Sequence, residues 1–363
     1  MRGIQLHLRR TALIVLLLMC VGLFFCTHLL LEISNLKDAR VKLEMEVAQL
    51  QHTLDTSDIS RSRRLYATNE QIRDVYSPYE EDMIILYNRV PKTGSTSFAG
   101  IAYDLCKRNK FHVLHVNITR NAHTLSLVDQ VRFIQNITEW AGKKPAMYHG
   151  HFSYIDFSKF GYYRRPIYIN IIRDPLDRML SYYYFIRYGD DFRPNLKRKK
   201  AGDKESFDEC VEKGGHDCDP ENLWLQIPFF CGQSAGCRNS GSRWALEEAK
   251  HNLVNNYFVV GITEELSDFI AVLEATLPRF FRGATDLYNN GHHSHLRKTA
   301  VKITPKPETI AKIQESTVWK MENEFYEFAV EQFHFIKNQI FEIVDGSYVP
   351  KGRRFTYEKI RPR

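Results

Sequence analysis

Three short stretches carry residue types and spacings capable of chemistry. The first, Pro91-Lys92-Thr93-Gly94-Ser95-Thr96-Ser97, sets a cation and a glycine among four hydroxyls. Where a helix begins at such a loop, free backbone N–H groups and the positive end of the helix dipole converge on it, and the hydroxyls add donors. That is the chemistry of a phosphate cradle. It is not a Walker A loop, which holds two glycines and ends in its lysine; here Lys92 leads and one glycine follows. The order argues against an ordinary ATP kinase. The second stretch, Arg173-Asp174-Pro175, is followed by Arg178 and Ser181. An arginine there offers the forked donors that phosphate oxygens match, so the two stretches describe a nucleotide with phosphates in two separate places. The third is Tyr148-His149-Gly150-His151-Phe152. In an extended strand the two histidines share one face, and structural, zinc-ligating and general-base roles are all open to them.

These residues need rigid elements to hold them. Residues 83–90 (MIILYNRV) and 166–172 (PIYINII) are short apolar runs of the kind that form buried parallel strands. The first leads through the Lys92 loop into a helical segment, 98–106, and the second leads through Arg173 into another helix. Residues 148–152 read as a further strand. Strand, small-residue loop and helix in repeated order predict an α/β domain with a parallel sheet. Beyond Lys306, the residues Ile310, Ile313, Val318, Met321, Phe325, Phe328 and Phe333 give a helical apolar pattern expected in the core or at a subunit contact.

The rest of the chain sets the context. Among 363 residues, 50 Lys plus Arg stand against 43 Asp plus Glu, a net +7, too modest for a protein that coats nucleic acid. Residues 11–31 form an apolar run without a formal charge, preceded by Arg2, Arg9 and Arg10. Its length and the charge asymmetry predict a transmembrane signal-anchor with residues 1–10 cytosolic and the remainder lumenal. Ile33, Leu36, Leu43, Val47, Leu50 and Leu54 fall on heptad positions, broken at Arg40, so residues 32–81 are expected to be a helical stalk and linker ahead of a domain at 82–363. Asn117-Ile118-Thr119 and Asn136-Ile137-Thr138 are glycosylation acceptors at Asn117 and Asn136. In an oxidising lumen the preferred disulfides are Cys210 with Cys218 and Cys231 with Cys237, while Cys106 is expected to be buried and inert.

The phosphate elements carry a resemblance. Residues 91–97 resemble the 5′-phosphosulfate loop of sulfotransferases, and Ile172-Arg173-Asp174-Pro175 through Ser181 resembles their 3′-phosphate element. From about residue 82 to 328 the chain resembles members of the Golgi sulfotransferase family that act on uronic acid residues. The resemblance is carried by Tyr87-Asn88-Arg89-Val90-Pro91-Lys92, Tyr148-His149-Gly150-His151, Trp224-Leu225-Gln226-Ile227-Pro228-Phe229-Phe230-Cys231 and Ser294-His295-Leu296-Arg297-Lys298-Thr299. Gly94 stands where the family has alanine, and the tail after Gly346 matches least well.

That resemblance implies a P-loop-like α/β fold, 3′-phosphoadenosine 5′-phosphosulfate as donor, and transfer of sulfuryl to the 2-hydroxyl of hexuronic acid, mainly iduronic acid, in heparan sulfate. It implies a type II Golgi membrane protein that forms a homotrimer and needs no metal. By the same resemblance His149 is the base, His151 supports it, and Lys92 neutralises the leaving oxygen. Thr93, Gly94, Ser95, Thr96, Ser97, Arg173 and Ser181 hold the donor, with Ser294, Thr299 and Lys302 closing over it. Arg89, Tyr103, His115, Arg120 and Arg198 meet the acceptor. Further basic residues, Lys107, Arg108 and Lys110 after the first element and Arg187, Arg193 and residues 197–200 after the second, suit the steering of a polyanion. Two rival readings are a dermatan or chondroitin uronyl 2-O-sulfotransferase and a glycosyltransferase using Asp217-Cys218-Asp219 to hold a metal.

Overall fold

In the computed structural model the described residues are 81–352, apart from 120–121, 163–164, 192, 194, 291–298 and 345–346, together with His28 and Ile33. The chain divides into two units, residues 1–75 and 76–363. The expected anchor and stalk lie outside the described residues except at His28 and Ile33, which are helical. Among the described residues no helix is long and apolar enough to cross a membrane.

The second unit is built on strands β1 (Ile84–Asn88), β2 (His112–Val116), β3 (Ala146–Gly150), β4 (Ile167–Ile172) and β5 (Tyr257–Ile262). They form a parallel sheet in the order β2-β3-β1-β4-β5. Helices α1 (Ser95–Arg108), α2 (Leu127–Glu139), α3 (Pro175–Tyr188), α4 (Phe207–Lys213), α5 (Gln226–Cys231), α6 (Arg243–Asn256), α7 (Leu266–Thr276), α8 (Pro307–Gln314) and α9 (Thr317–Ile340) surround it. In a parallel sheet both faces are covered, which is why β1, β3 and β4 are nearly continuous apolar runs. β1 sits centrally with its successors running out to both sides, so the carboxyl ends of β1, β3 and β4 flank the point where such folds open a crevice. Strand β2 did not stand out in the sequence, because HVLHV alternates weakly at a sheet edge.

Core packing fixes these elements to one another. Phe98 of α1 meets Tyr87 of β1 edge-on at 5.1 Å and stacks on Phe281 at 5.7 Å. Gly150 and Gly261 are places where backbone or ring comes too close for a side chain: a Cβ would lie 2.4 Å from the Val116 carbonyl at the first and 2.3 Å from the Phe269 ring at the second. A separate apolar cluster joins α3 to α4 through Tyr183, Tyr184 and Phe207, beside the Cys210–Cys218 disulfide. The other expected disulfide, Cys231–Cys237, closes the loop after α5. Cys106 is free as expected but only half-buried, its Sγ donating to the Tyr103 carbonyl at 3.0 Å.

Helix α9 places one carboxylate fully inside. Glu322 accepts from the backbone N–H groups of Leu225 at 2.9 Å, Ile227 at 3.1 Å and Gln226 at 3.3 Å, and so caps the start of α5. A side chain from another helix thereby satisfies donors that α5 leaves open. Burial pushes Glu322 up to about 7, against the pull of Arg178 and these N–H groups. A carboxyl raised in the folded state favours folding below its ordinary value of 4.5, and that contribution is lost as pH rises through 7. Replacing Glu322 by Gln keeps an acceptor and removes the titration. Thermal unfolding at pH 5 and pH 8 should show the natural chain losing more stability between the two than the variant; equal losses would place the pH dependence elsewhere.

Candidate functional site

The loop after β1 has an unusual backbone. Lys92 at φ 69° and Gly94 at φ 71° are both left-handed, on either side of Thr93, whose buried hydroxyl donates to the Val90 carbonyl at 3.0 Å. Glycine adopts this conformation freely, whereas at Lys92 it costs on the order of 1 kcal/mol or more, the kind of strain found at ligand-holding loops. Such a turn aims backbone N–H groups into a concavity for an anion. Helix α1 then starts with no side-chain cap and no acidic residue in its first turn. Ser95 and Ser97 are buried in that turn, and Thr96 lies half-exposed beside them. The Lys92 ammonium stands 4.0 Å from the centre of the Phe185 ring of α3.

The second element meets the first. Gln226, at the start of α5, grips the Arg173 backbone from both ends: its Oε1 accepts from the Arg173 N–H at 3.0 Å and its Nε2 donates to the Arg173 carbonyl at 2.8 Å. The Arg173 guanidinium donates to the Lys92 carbonyl at 3.4 Å and faces Asp177 at 3.5 Å. Asp174 caps α3, accepting from the Asp177 N–H, and Pro175 takes the first helical position. Ser181 is buried further along α3. Lys302 reaches Asp177 at 3.0 Å, and Thr299 pairs with Asp190 just beyond the end of α3. Burial raises the Asp177 carboxyl, but Lys302 and Arg173 outweigh it and hold the group below its ordinary value. Contacts through Asp177 and the Lys92 carbonyl thus join Lys302, Arg173 and the first loop, and the donor set of amides, hydroxyls, ammonium and guanidinium there fits such an anion. Ser294 and Arg120 lie outside the described residues.

At the carboxyl ends of β2 and β3 the histidines gather. The strand register sets His115 beside His149 and Tyr87 on its other side. The His115 and His149 rings stack at 4.9 Å, with Arg89 Nη2 3.4 Å from His115 Nε2. The two expected roles separate by their hydrogen bonds. His149 is buried, its Nε2 2.9 Å from the Tyr103 hydroxyl and its Nδ1 without a hydrogen-bond partner. His151 is more open, and its Nδ1 lies 2.8 Å from the Arg89 carbonyl. A carbonyl only accepts, so that Nδ1 carries the hydrogen and the neutral ring keeps its lone pair on Nε2. Burial, then Arg89 and the neighbouring histidines, pushes His149 down to about 3. Burial and Arg89 push His151 down to about 4, although its bond to the Arg89 carbonyl opposes the shift. His115 is lowered by burial and Arg89 as well.

The basic residues divide in a way their sequence positions conceal. Arg187 is fully buried among Asp203, Glu205 and Asp217 and packs on the Tyr183 ring, and Lys200 pairs with Asp217. Arg178 donates to the Leu223 carbonyl at 3.0 Å from a buried position. These three hold the fold, correcting the expectation that Arg187 and Lys200 steer a polyanion. Arg198 comes to the first loop, 4.3 Å over the Phe185 ring that Lys92 also approaches, tied to Asp190 at 3.0 Å. Arg108 and Lys110 lie at the far end of α1 from the Lys92 loop, not around it. The Asp217-Cys218-Asp219 triplet is occupied as well: Asp217 holds Arg187, Cys218 is in a disulfide, and Asp219 accepts from the Glu221 N–H. Among the described residues no group of His, Cys, Asp and Glu is placed to hold a metal ion. Gln226 and Phe185 escaped the functional reading of the sequence. A lone amide inside the apolar run 224–231 was the available signal for Gln226, whereas nothing local distinguished Phe185.

Residues 78–329 match the family model described as "Sulfotransferase family". The chain is 56% identical over 348 residues to heparan sulfate 2-O-sulfotransferase 1 of Homo sapiens, covering 95% of this chain and 96% of that one. It is 56% identical over 285 residues to the heparin sulfate O-sulfotransferase of Drosophila melanogaster, covering 78% and 80%. The crystal structure of mouse sulfotransferase SULT7A1 complexed with PAP aligns with 71% of this chain and 89% of its own at 15% identity and a TM-score of 0.34. A parallel sheet with an open anion cradle after its central strand, and sequence matches that span most of the chain, together make this protein a member of the sulfotransferase family.

Proposed function

We propose that the protein transfers a sulfuryl group from 3′-phosphoadenosine 5′-phosphosulfate to the 2-hydroxyl of hexuronic acid, mainly iduronic acid, in heparan sulfate. The observation that carries this reading is the contact of Arg173 with the Lys92 loop at the uncapped start of α1, with the His149–His151 strand end one strand away from that loop. The strong similarity to proteins named for that activity supports the choice of acceptor.

The donor supplies an activated sulfuryl group on a phosphate leaving group. The α1 amides, the hydroxyls of residues 93–97 and Lys92 would hold the 5′ end and stabilise charge on the departing oxygen, while Arg173 and Ser181 would hold the 3′-phosphate. As the acceptor oxygen bonds to sulfur, the bond from sulfur to the phosphate oxygen breaks, and the hydroxyl proton must pass to a base. The family resemblance points to His149. The hydrogen bonds favour exchanging the roles: Arg89 fixes the tautomer of His151 so that Nε2 can accept, whereas His149 is engaged with Tyr103. We therefore assign the base to His151 and the positioning of Tyr103 and the acceptor to His149. An acceptor carboxylate or sulfate beside Arg89 would offset the charge that depresses both imidazoles and make His151 a stronger base.

We propose also that residues 11–31 anchor the chain as a type II protein of the Golgi membrane, that residues 32–81 form its stalk, and that it acts as a homotrimer. The two disulfides suit an oxidising lumen, and the exposed Asn117 and Asn136 suit glycosylation.

The deciding experiment offers the detergent-solubilised full chain labelled donor with heparan precursor and dermatan in parallel, chelator present, followed by disaccharide analysis. Label at the 2-position of uronic acid in the heparan precursor is the expected result; label confined to dermatan would move the acceptor, and no label in either would refute it. In the same assay His151→Ala should lower turnover about 10²- to 10⁴-fold and His149→Ala less. The reverse ranking would return the base to His149. Lys92→Ala should lower turnover about 10²-fold or more and weaken donor binding. The acid limb of kcat/KM should report the empty site near the depressed His151 value of about 4, and the limb of kcat should stand at higher pH because the bound acceptor offsets Arg89. Coincident limbs would remove the coupling between acceptor charge and base.

A further inference from the structure

A second concave surface lies at the opposite end of α1 from the Lys92 loop. A cleft of about 500 Å³ is lined by Arg108, Lys110, Lys144, Arg279 and Arg282, with Glu81 as its one carboxylate among the described lining residues. Helix α1 has 14 residues, so at about 1.5 Å per residue the cleft and the Lys92 loop stand about 20 Å apart along its axis. Lys144 immediately precedes Pro145 and β3, which puts the cleft at the amino ends of strands whose carboxyl ends form the site described above.

The cleft is held in shape by specific contacts. The Arg279 guanidinium donates to the carbonyls of Asn109 and Lys110, the latter at 3.1 Å, and its buried Nε has no partner. Carbonyls satisfy hydrogen bonds without cancelling charge, so the cation keeps its field. Asn109 donates in turn to the carbonyls of Phe280 at 2.7 Å and Arg282 at 3.1 Å, binding the α1 end to the segment that follows α7. Lys110 is held at φ 51°, a left-handed conformation at a residue that is not glycine. Gly283 is favoured at its place by a left-handed backbone at φ 82°, with the Arg108 guanidinium packed against it. Among the described residues, Asp82 stands 3.9 Å from Lys144 and is itself exposed, and Glu274 is engaged by the backbone N–H groups of Gly283 and Thr285 while its charge acts on Arg108.

We propose that this cleft is a second anion-binding site that grips a sulfated or carboxylated stretch of the acceptor polysaccharide at a distance from the reaction centre. Arg108 and Arg282 offer forked donors matched to sulfate and carboxylate oxygens, and Arg279, held by carbonyls, adds its charge. A concavity suits a flexible polymer, whereas a flat anionic bilayer meets protruding side chains. The choice of ligand rests on the function proposed above; the presence of an anion site does not. A long chain can occupy both sites at once, raising its effective concentration at the reaction centre, while a short oligosaccharide occupies one.

The test uses the detergent-solubilised full chain and the triple variant Arg108→Gln, Lys110→Gln, Arg282→Gln, which leaves Arg279 and its backbone contacts in place. Equal thermal midpoints would confirm an intact fold, and single variants replace the triple if they do not. Binding of fluorescent long-chain heparin without donor should weaken about tenfold, the sum of three exposed charge contacts, and should show a shallower salt dependence. KM for long heparan precursor should rise in step, while turnover of a short oligosaccharide stays unchanged. Unaltered heparin binding and salt slope would overturn the proposal, as would a loss confined to phosphatidylserine vesicles. If no uronic polymer is sulfated yet the variant loses heparin binding, the function assigned to the crevice fails and the anion cleft stands.

Discussion

Everything at the carboxyl edge of the sheet depends on one helix end left open. Helix α1 begins with uncapped amides, no carboxylate in its first turn, and two left-handed residues leading into it. An isolated helix would pull in a side-chain cap or water, and the chain denies it the cap. The positive end is kept in place from behind: Phe98 packs against Tyr87 and Phe281, and Thr93 ties the loop to the end of β1. The site is thus a polarised backbone feature first and a set of side chains second.

A relay of buried polar contacts holds the opposing wall. Glu322 of α9 caps α5, Gln226 at the start of α5 clamps the Arg173 backbone, and Arg173 reaches the Lys92 carbonyl. A buried carboxylate is costly, and here three N–H donors and nearby Arg178 offset part of the cost. The return is an arginine whose backbone cannot drift relative to the first loop. At the ends of β2 and β3 Gly150 lets the strands close to the distance at which His115 stacks on His149, and burial, reinforced by Arg89, lowers the proton affinity of all three imidazoles. In the proposed reaction the Arg89 charge that helps to depress these imidazoles is charge that an anionic acceptor would neutralise.

The cations separate into three populations by their surroundings. Arg178 and Arg187 are buried and consumed by carbonyls or acids. Lys92, Arg173 and Arg198 gather at the first loop, with Lys92 and Arg198 both against the Phe185 ring and Arg173 bonded to the Lys92 carbonyl. Arg108, Lys110, Lys144, Arg279 and Arg282 form a field at the far end of the sheet. A modest net charge of +7 conceals this partition.

The sequence by itself determined the elements whose signals are local. The apolar runs of β1 and β4, the small-residue loop at 91–97 leading into a helix, and the two close cysteine pairs all stand in the structure as read. The two disulfides were legible because short loops in loop-like sequence leave few other pairings. Tertiary structure alone decided which cation does what, since Arg187 and Arg198 both follow the second phosphate element in sequence, yet one is buried among three acids and the other lies over the Phe185 ring beside Lys92. It alone separated His149 from His151, because the bonds that distinguish them come from Tyr103 on α1 and Arg89 after β1. It alone joined Arg108 to Arg282 across a long stretch of chain. Backbone propensity and hydrophobic period act over a few residues and can be read along the chain, whereas charge compensation and proton affinity depend on what the fold brings within a few ångströms, which the order of residues does not state.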